Sequence, residues 1–178
     1  MKINKTFIKD LLIIEPHVIK DERGFFYESY NKKNLDIDIV FVQDNESKSY
    51  KGVIRGLHFQ APPFEQTKLV RCVSGNILDV VVDLRTNSKT YGKSFSFELS
   101  SENNKQLFVP KGFAHGFQIL SETAIVNYKV DNYYNPKSEK GIIWNDKDLS
   151  INWNLDLKPS LSERDLTFIS FKELKSPF

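Results

Sequence analysis

Apolar and polar positions alternate with a period of two through much of this 178-residue chain. In Ser94-Phe95-Ser96-Phe97-Glu98-Leu99-Ser100, three apolar side chains fall on one face and polar groups on the other. Successive strand residues point to opposite faces, so the spacing predicts a half-buried strand. Further along, Leu78, Val80, Val82 and Leu84 share one face, while Asp79, Val81, Asp83 and Arg85 share the opposite one. Other strands are expected at Leu11–Glu15, Phe25–Tyr30, Ile39–Gln43, Val53–Gln60, Lys68–Val73, Gln106–Val109, Phe117–Leu120 and Thr123–Val130. Turn chemistry separates them, in Asp21-Glu22-Arg23-Gly24, Lys51-Gly52, Ser74-Gly75-Asn76 and Pro110-Lys111-Gly112. Helix is scarce: one turn near Asn31–Leu35 and a short C-terminal segment from Ser162, whose hydroxyl suits an N-cap. Many short strands without helices between them predict an all-β fold, an antiparallel sandwich or barrel. No repeat, linker or low-complexity stretch divides the chain, so residues 1–178 read as a single domain.

Composition narrows the function more than the fold. Lys and Arg number 25 against 23 Asp and Glu, too even a balance for a nucleic-acid binder. Anion recognition must therefore come from a few placed cations. Cys72 is the single cysteine, which rules out an intrachain disulfide and a thiolate zinc site within one chain. No stretch approaches the roughly 20 apolar residues of a membrane span, and Met1–Asp10 has no apolar core of a signal peptide. A cytoplasmic protein without membrane contact is expected.

Three histidines are present, and two have unusual neighbours. His58 lies in Arg55-Gly56-Leu57-His58-Phe59-Gln60, where strand parity groups it with Ile54, Gly56 and Gln60, a face suited to a lined cavity. His115 lies in Pro110-Lys111-Gly112-Phe113-Ala114-His115, a turn leading into a strand. A lone strand histidine is ordinarily a satisfied core or surface residue. Here the surroundings favour a site.

The spacing Pro-x-Gly-x-x-His resembles one half of the cupin pattern, and Gly52 to Gly75 occupies the place of the other half. That other half normally supplies His-x-His and a Glu to a metal. This chain has His58-Phe59-Gln60, and two imidazoles with an amide are a poor ligand set. No metal and no other cofactor is expected.

Seven blocks sharpen the resemblance. They are Asp21-Glu22-Arg23-Gly24-Phe25-Phe26-Tyr27-Glu28-Ser29, Phe41-Val42-Gln43-Asp44-Asn45, Arg55-Gly56-Leu57-His58-Phe59-Gln60, Lys68-Leu69-Val70-Arg71, Phe113-Ala114-His115-Gly116-Phe117, Asn132-Tyr133-Tyr134-Asn135-Pro136 and Leu161-Ser162-Glu163-Arg164-Asp165. In this order they resemble the dTDP-4-dehydrorhamnose 3,5-epimerases across most of the chain. The resemblance implies an antiparallel β jelly roll of cupin type and inversion of C3 and C5 in a nucleotide-linked 4-keto-6-deoxy sugar.

The chemistry has its own requirements. A C4 ketone acidifies the C–H bonds at C3 and C5. Inversion then needs a base on one face, an acid on the other, and a cation or donor for the enolate oxygen. The resemblance implies His58 as base, Asp165 as the carboxylate orienting it, Lys68 at the enolate and Tyr128 as the acid. Taken alone, Tyr128 reads as a core-lining tyrosine beside Val126 and Val130, and Asp165 as helix-start chemistry. A hairpin across the Pro62-Pro63 loop would bring Lys68 to His58. Asp79 and His115 suggest a second His–carboxylate pair, either structural or, as the resemblance implies, facing substrate.

By the same resemblance, Arg23, Arg55 and Arg164 contact a nucleotide diphosphate, Glu28, Gln43, Asn45 and Glu139 add polar contacts, and Tyr134 stacks on thymine. Arg164 stands where a lysine is usual, which keeps the charge but not the phosphate geometry. The Ala61-Pro62-Pro63-Phe64 loop is a further point of variation beside the sugar pocket. Strand parity sets Arg55 opposite His58, so both reach one site only through a bulge at Gly56 or an open strand edge. The family also implies a homodimer in which Arg23 and Glu28 serve the neighbouring subunit's site. Rival readings are an epimerase of the same family acting only at C3 or on another nucleotide-linked 4-keto sugar, a metal-dependent cupin dioxygenase or isomerase, and a non-catalytic sugar-binding cupin.

Overall fold

The computed structural model describes residues 1–35 and 37–178, and its regular structure is almost wholly strand. In chain order they are β1 (Lys2–Lys5), β2 (Leu12–Glu15), β3 (Ile19–Asp21), β4 (Gly24–Phe26), β5 (Gln43–Tyr50), β6 (Ile54–Gln60), β7 (Lys68–Ser74), β8 (Asn76–Asp83), β9 (Ser94–Ser100), β10 (Gln106–Val109), β11 (Phe113–Ile119), β12 (Thr123–Val130) and β13 (Glu139–Gly141). A single helical turn, α1, covers Lys32–Leu35. The C-terminal helical segment expected from Ser162 is two 3-10 turns, Asp165–Thr167 and Phe171–Glu173.

Two antiparallel sheets face each other as a cupin-type jelly roll. One runs β1-β2-β10-β7-β12-β5, the other β13-β6-β11-β8-β9, while β3 and β4 form a separate hairpin. The core lies between the sheets, where Val70, Leu107 and Val126 of the first meet Val81, Leu99 and Phe117 of the second. The outer face of the five-stranded sheet is also buried. There Ile54, Leu57, Phe59, Val80, Val82 and Leu84 lie under Ile142, Leu149, Trp153 and Leu174 from the C-terminal third. This explains why β8 is apolar on both faces apart from Asn76, Asp79 and Asp83. Each fully buried Leu, Ile or Val contributes about 1.5–3 kcal/mol, so packing holds the C-terminal third on the sheet.

Some expected elements shift. Phe25–Tyr30 shrinks to the β4 segment, and the expected strand at Ile39–Gln43 gives way to β5, which begins at Gln43. His115 sits within β11, not in a turn before it. Lys68 does not reach His58 across a hairpin: β6 and β7 belong to opposite sheets, and the Pro62-Pro63 loop crosses between them. Among the described residues no helix is long and apolar enough to cross a membrane.

Candidate active site

A cavity of about 240 Å³ opens between the sheets, lined by Ser47, Arg55, His58, Lys68, His115, Gly116, Phe117, Tyr128, Tyr134, Glu139 and Arg164. Its making begins with an irregularity in β6. His58 lies opposite His115 and Arg55 opposite Phe117, so Gly56 and Leu57 together face Gly116. Two residues against one is a β-bulge, and it reverses the strand's parity. Arg55 and His58 thereby point into the cavity, while Ile54, Leu57 and Phe59 pack outward under the C-terminal third. The grouping of His58 with Ile54, expected from simple alternation, is thus corrected by the bulge. Gly56 is required there: its φ is +105°, and a Cβ would stand 2.6 Å from the His115 carbonyl oxygen.

The bulge also fixes the partner of His58. Asp165 accepts a hydrogen bond from the Gly56 N–H at 3.2 Å with one carboxylate oxygen, and its other oxygen lies 2.8 Å from His58 Nε2. The Asp165 N–H donates to Ser162 Oγ at 3.1 Å, which sets the turn that carries it. Burial works to raise the Asp165 pKa, but the hydrogen bonds from His58 and Gly56 outweigh it and hold the carboxyl below its ordinary value. The pair therefore presents an ionised carboxylate to one ring nitrogen and leaves the other free to act as a base. Phe168 packs edge-on against the imidazole, with ring centroids 5.4 Å apart.

Across the cavity stand residues of the six-stranded sheet. Lys68 Nζ sits 5.7 Å from the centre of the Tyr128 ring. Burial pushes the Lys68 ammonium down to about 8, with Asp79 and Glu139 pulling it back up. Burial likewise raises the Tyr128 phenol, opposed by Arg55 and aided by Glu139 and Tyr134. His115 is buried and its Nε2 lies 3.0 and 2.9 Å from the two oxygens of Asp79, so the second His–carboxylate pair forms at the cavity floor. At the mouth, Tyr134 donates its hydroxyl to Glu139 at 2.6 Å, and Arg164 bonds the same carboxylate oxygen. Arg55 gives Nε and Nη2 to Ser49 Oγ at 3.0 and 2.9 Å.

The family profile of dTDP-4-dehydrorhamnose 3,5-epimerase matches residues 5–173. The chain belongs to this family. A dTDP-4-dehydrorhamnose 3,5-epimerase of Shigella flexneri is 51% identical over 170 residues, covering 93% of each chain. The crystal structure of the corresponding epimerase from Elizabethkingia anophelis is 52% identical with a TM-score of 0.93, covering 99% of this chain and 98% of that one. A Legionella pneumophila epimerase solved with dTDP-4-keto-L-rhamnose is 45% identical, with a TM-score of 0.93 and coverage of 97% and 94%. The protein is accordingly an isomerase of this epimerase family, with the fold of those structures.

Of the residues marked from the sequence, His58, Lys68, Tyr128, Arg55, His115, Tyr134, Glu139 and Arg164 line the one cavity, with Asp165 and Asp79 directly behind the two imidazoles. Gln43 and Asn45 bond each other at 2.7 Å on β5 and are not among the residues that line the cavity. Arg23 and Glu28 do not join it. Arg23 sits on the β3–β4 hairpin with its side chain 83% exposed, paired among the described residues with Asp21 alone. Glu28 accepts hydrogen bonds from Asn31 and Asn34.

Ser47, Ser49 and Phe168 escaped the sequence reading. The alternation of Gln43, Asn45, Ser47 and Ser49 along β5 was the available signal, since a strand with a polar inward face must face something polar. A larger depression of about 510 Å³ lies between Phe7 and Arg85. It holds no histidine, and its Arg85 guanidinium is bound to Asp83 at 2.8 and 2.9 Å. The chemistry therefore belongs to the smaller cavity. Among the described residues no group of three or more His, Cys, Asp or Glu side chains is placed to hold a metal ion.

Proposed function

We propose that this epimerase inverts C3 and C5 of dTDP-4-dehydro-6-deoxyglucose, giving dTDP-4-dehydro-L-rhamnose, by proton abstraction and reprotonation. His58 takes the C–H proton through the ring nitrogen that Asp165 leaves free. The negative charge moves to the C4 oxygen, where the Lys68 ammonium stabilises it. Tyr128 then delivers a proton to the opposite face, and solvent restores both groups before the second centre is treated. Arg55 and Arg164 hold the diphosphate, Tyr134 supplies the face for thymine, and His115 with Asp79 binds the sugar. The reaction as written needs no metal and no redox cofactor. A cytoplasmic location is part of the same proposal.

One observation carries this reading: His58 comes from β6 and Tyr128 from β12, in facing sheets of the sandwich, and both border the same cavity. A sugar ring held between the sheets would meet a base on one side and an acid on the other, as inversion requires. We further propose a homodimer in which Arg23 and Glu28 act at the partner's site. The Arg23 hairpin also carries Ile19, Phe25 and Phe26, which are 54%, 59% and 66% exposed.

The test follows C3 and C5 protons of the substrate in deuterated water. His58→Ala should abolish exchange at both carbons. Tyr128→Phe keeps the ring and loses the acid, so it should exchange deuterium while giving little inverted product. If Tyr128→Phe inverts both centres at the wild-type rate, the acid assignment is wrong. Exchange and inversion confined to C3 in the wild-type enzyme would replace the double epimerase with a C3-only one.

A further inference from the structure

The amide of Gln60 is 5% exposed, and it makes three hydrogen bonds to backbone groups of two separate loops. Its nitrogen donates to the Phe64 carbonyl at 2.6 Å and to the Tyr133 carbonyl at 3.2 Å. Its oxygen accepts from the Asn135 N–H at 2.6 Å. The residues bonded in the second loop are those on either side of Tyr134. Gln60 also lies directly opposite Glu139 in the β6–β13 ladder, and Glu139 is the acceptor for the Tyr134 hydroxyl. Both ends of Tyr134, backbone and phenol, are thus referred to one position on β6, two residues from His58. The flanking loops are laced by two further side chains: Asn132 donates to the Pro63 carbonyl at 3.1 Å, and Gln66 to the Asn132 carbonyl at 2.8 Å.

Buried amides are satisfied because an orphaned one is costly, but three backbone partners on two loops go beyond local satisfaction. Tyr134 itself is half-exposed. Its position therefore depends on what grips its backbone and its hydroxyl. We propose that Gln60 is a positioning residue for nucleobase recognition, holding the Tyr134 ring at a fixed distance from His58 so that base and sugar are gripped in register. This rests on the reading that Tyr134 stacks on the base. It also gives a use to an amide that stands where a second metal-binding imidazole of the cupin pattern would stand.

The test is a double-mutant cycle on binding, with folding followed by thermal unfolding. Gln60→Leu should weaken dTDP by about tenfold, within the range of one lost base stack. It should leave pyrophosphate binding unchanged, because that ligand has no base to place. In a Tyr134→Ala background the same change should weaken dTDP no further. KM for the nucleotide sugar should rise in Gln60→Leu with a smaller fall in kcat. Unchanged dTDP affinity in Gln60→Leu, or full additivity with Tyr134→Ala, overturns the role. So does equal weakening toward pyrophosphate, which marks a general loss of the site. If Tyr134→Ala alone leaves dTDP binding intact, the base-stacking reading itself is wrong. Should Gln60→Leu fail to fold, Gln60→Glu reads the same cycle, since it keeps the acceptor for Asn135 and loses both donors.

Discussion

Lys68 is a cation that the cavity makes less basic than it would be in water, and the consequence can be worked out for both activity and stability. Burial lowers its pKa from 10.5 to about 8, so at neutral pH it is still mostly charged and can hold an enolate oxygen. As pH rises through about 8 the charge is lost, and kcat/KM should fall with it. Lys68→Arg should retain some activity and move the alkaline limb upward, because a guanidinium does not titrate in that range. An alkaline limb unchanged by that substitution would assign it to another group. Stability runs the other way. Between about 8 and 10.5 the unfolded chain binds more protons at this residue than the folded chain, so the Lys68 contribution to stability increases with pH across that window. Asp165 has the same sense at the acid end: its depressed pKa adds stability above the ordinary carboxylate range, and that is lost as pH falls through the folded value. An alkaline loss of rate without a loss of fold is thus the signature of Lys68.

At the scale of elements, the bulge in β6 does the most with the least sequence. It turns Arg55 and His58 to the same side, frees the Gly56 N–H for Asp165, and brings Gly56 and Gly116 so close that a Cβ on Gly116 would lie 2.6 Å from the Arg55 carbonyl oxygen. Gly56→Ala should therefore cost about 2 kcal/mol or more from the left-handed backbone and the clash. That corresponds to a fall in Tm of roughly 4–8 °C for a domain of this size, with activity lost more steeply than stability. A Gly56→Ala enzyme of normal Tm and rate would remove the bulge from the account. The need for this bulge was legible in the sequence, because two site residues of opposite parity flanked a glycine. The core face of β9 and the two faces of β8 were legible for the same reason, regular alternation. β5 was not: Gln43, Asn45, Ser47 and Ser49 are all polar, with Ser47 lining the cavity and Ser49 holding Arg55, so the hydrophobic signal that marks a strand is missing where the site is built. The roles of Asp165 and Tyr128 were not legible from spacing either. Asp165 is 107 residues from His58 in sequence, and Tyr128 is brought opposite it only by the stacking of the two sheets. Local pattern fixes which face a residue takes, and sheet-on-sheet packing decides whom it meets.

For the whole molecule, the open question of composition is where the remaining anion-binding cation comes from. Arg23 belongs to the resembling motifs yet lies on a hairpin outside both sheets, bonded among the described residues to Asp21 alone, within its own turn. An exposed pair of that kind contributes little to stability, so it does not explain why a cation and two exposed phenylalanines share the hairpin. The proposed two-fold dimer would account for both, since an isologous interface would bury Phe25 and Phe26 and carry Arg23 to the partner's cavity. The open edge of β5 in the six-stranded sheet, with Val40, Val42 and Tyr50 exposed nearby at 60%, 41% and 67%, offers the apolar ground for it. Mixing two inactive enzymes tests this directly. Arg23→Ala spoils the site to which the hairpin is lent, and His58→Ala spoils the site of its own subunit. In a mixed dimer one site carries both changes and the other carries neither. Unfolding and refolding an equal mixture should therefore restore roughly a quarter of wild-type activity, the fraction of intact sites when subunits of a two-fold dimer assort at random. Light scattering should give twice the chain mass for each variant alone. If the mixture stays inactive while the dimer forms, Arg23 acts at the site of its own subunit, and if the protein is a monomer in solution the sharing of sites is excluded.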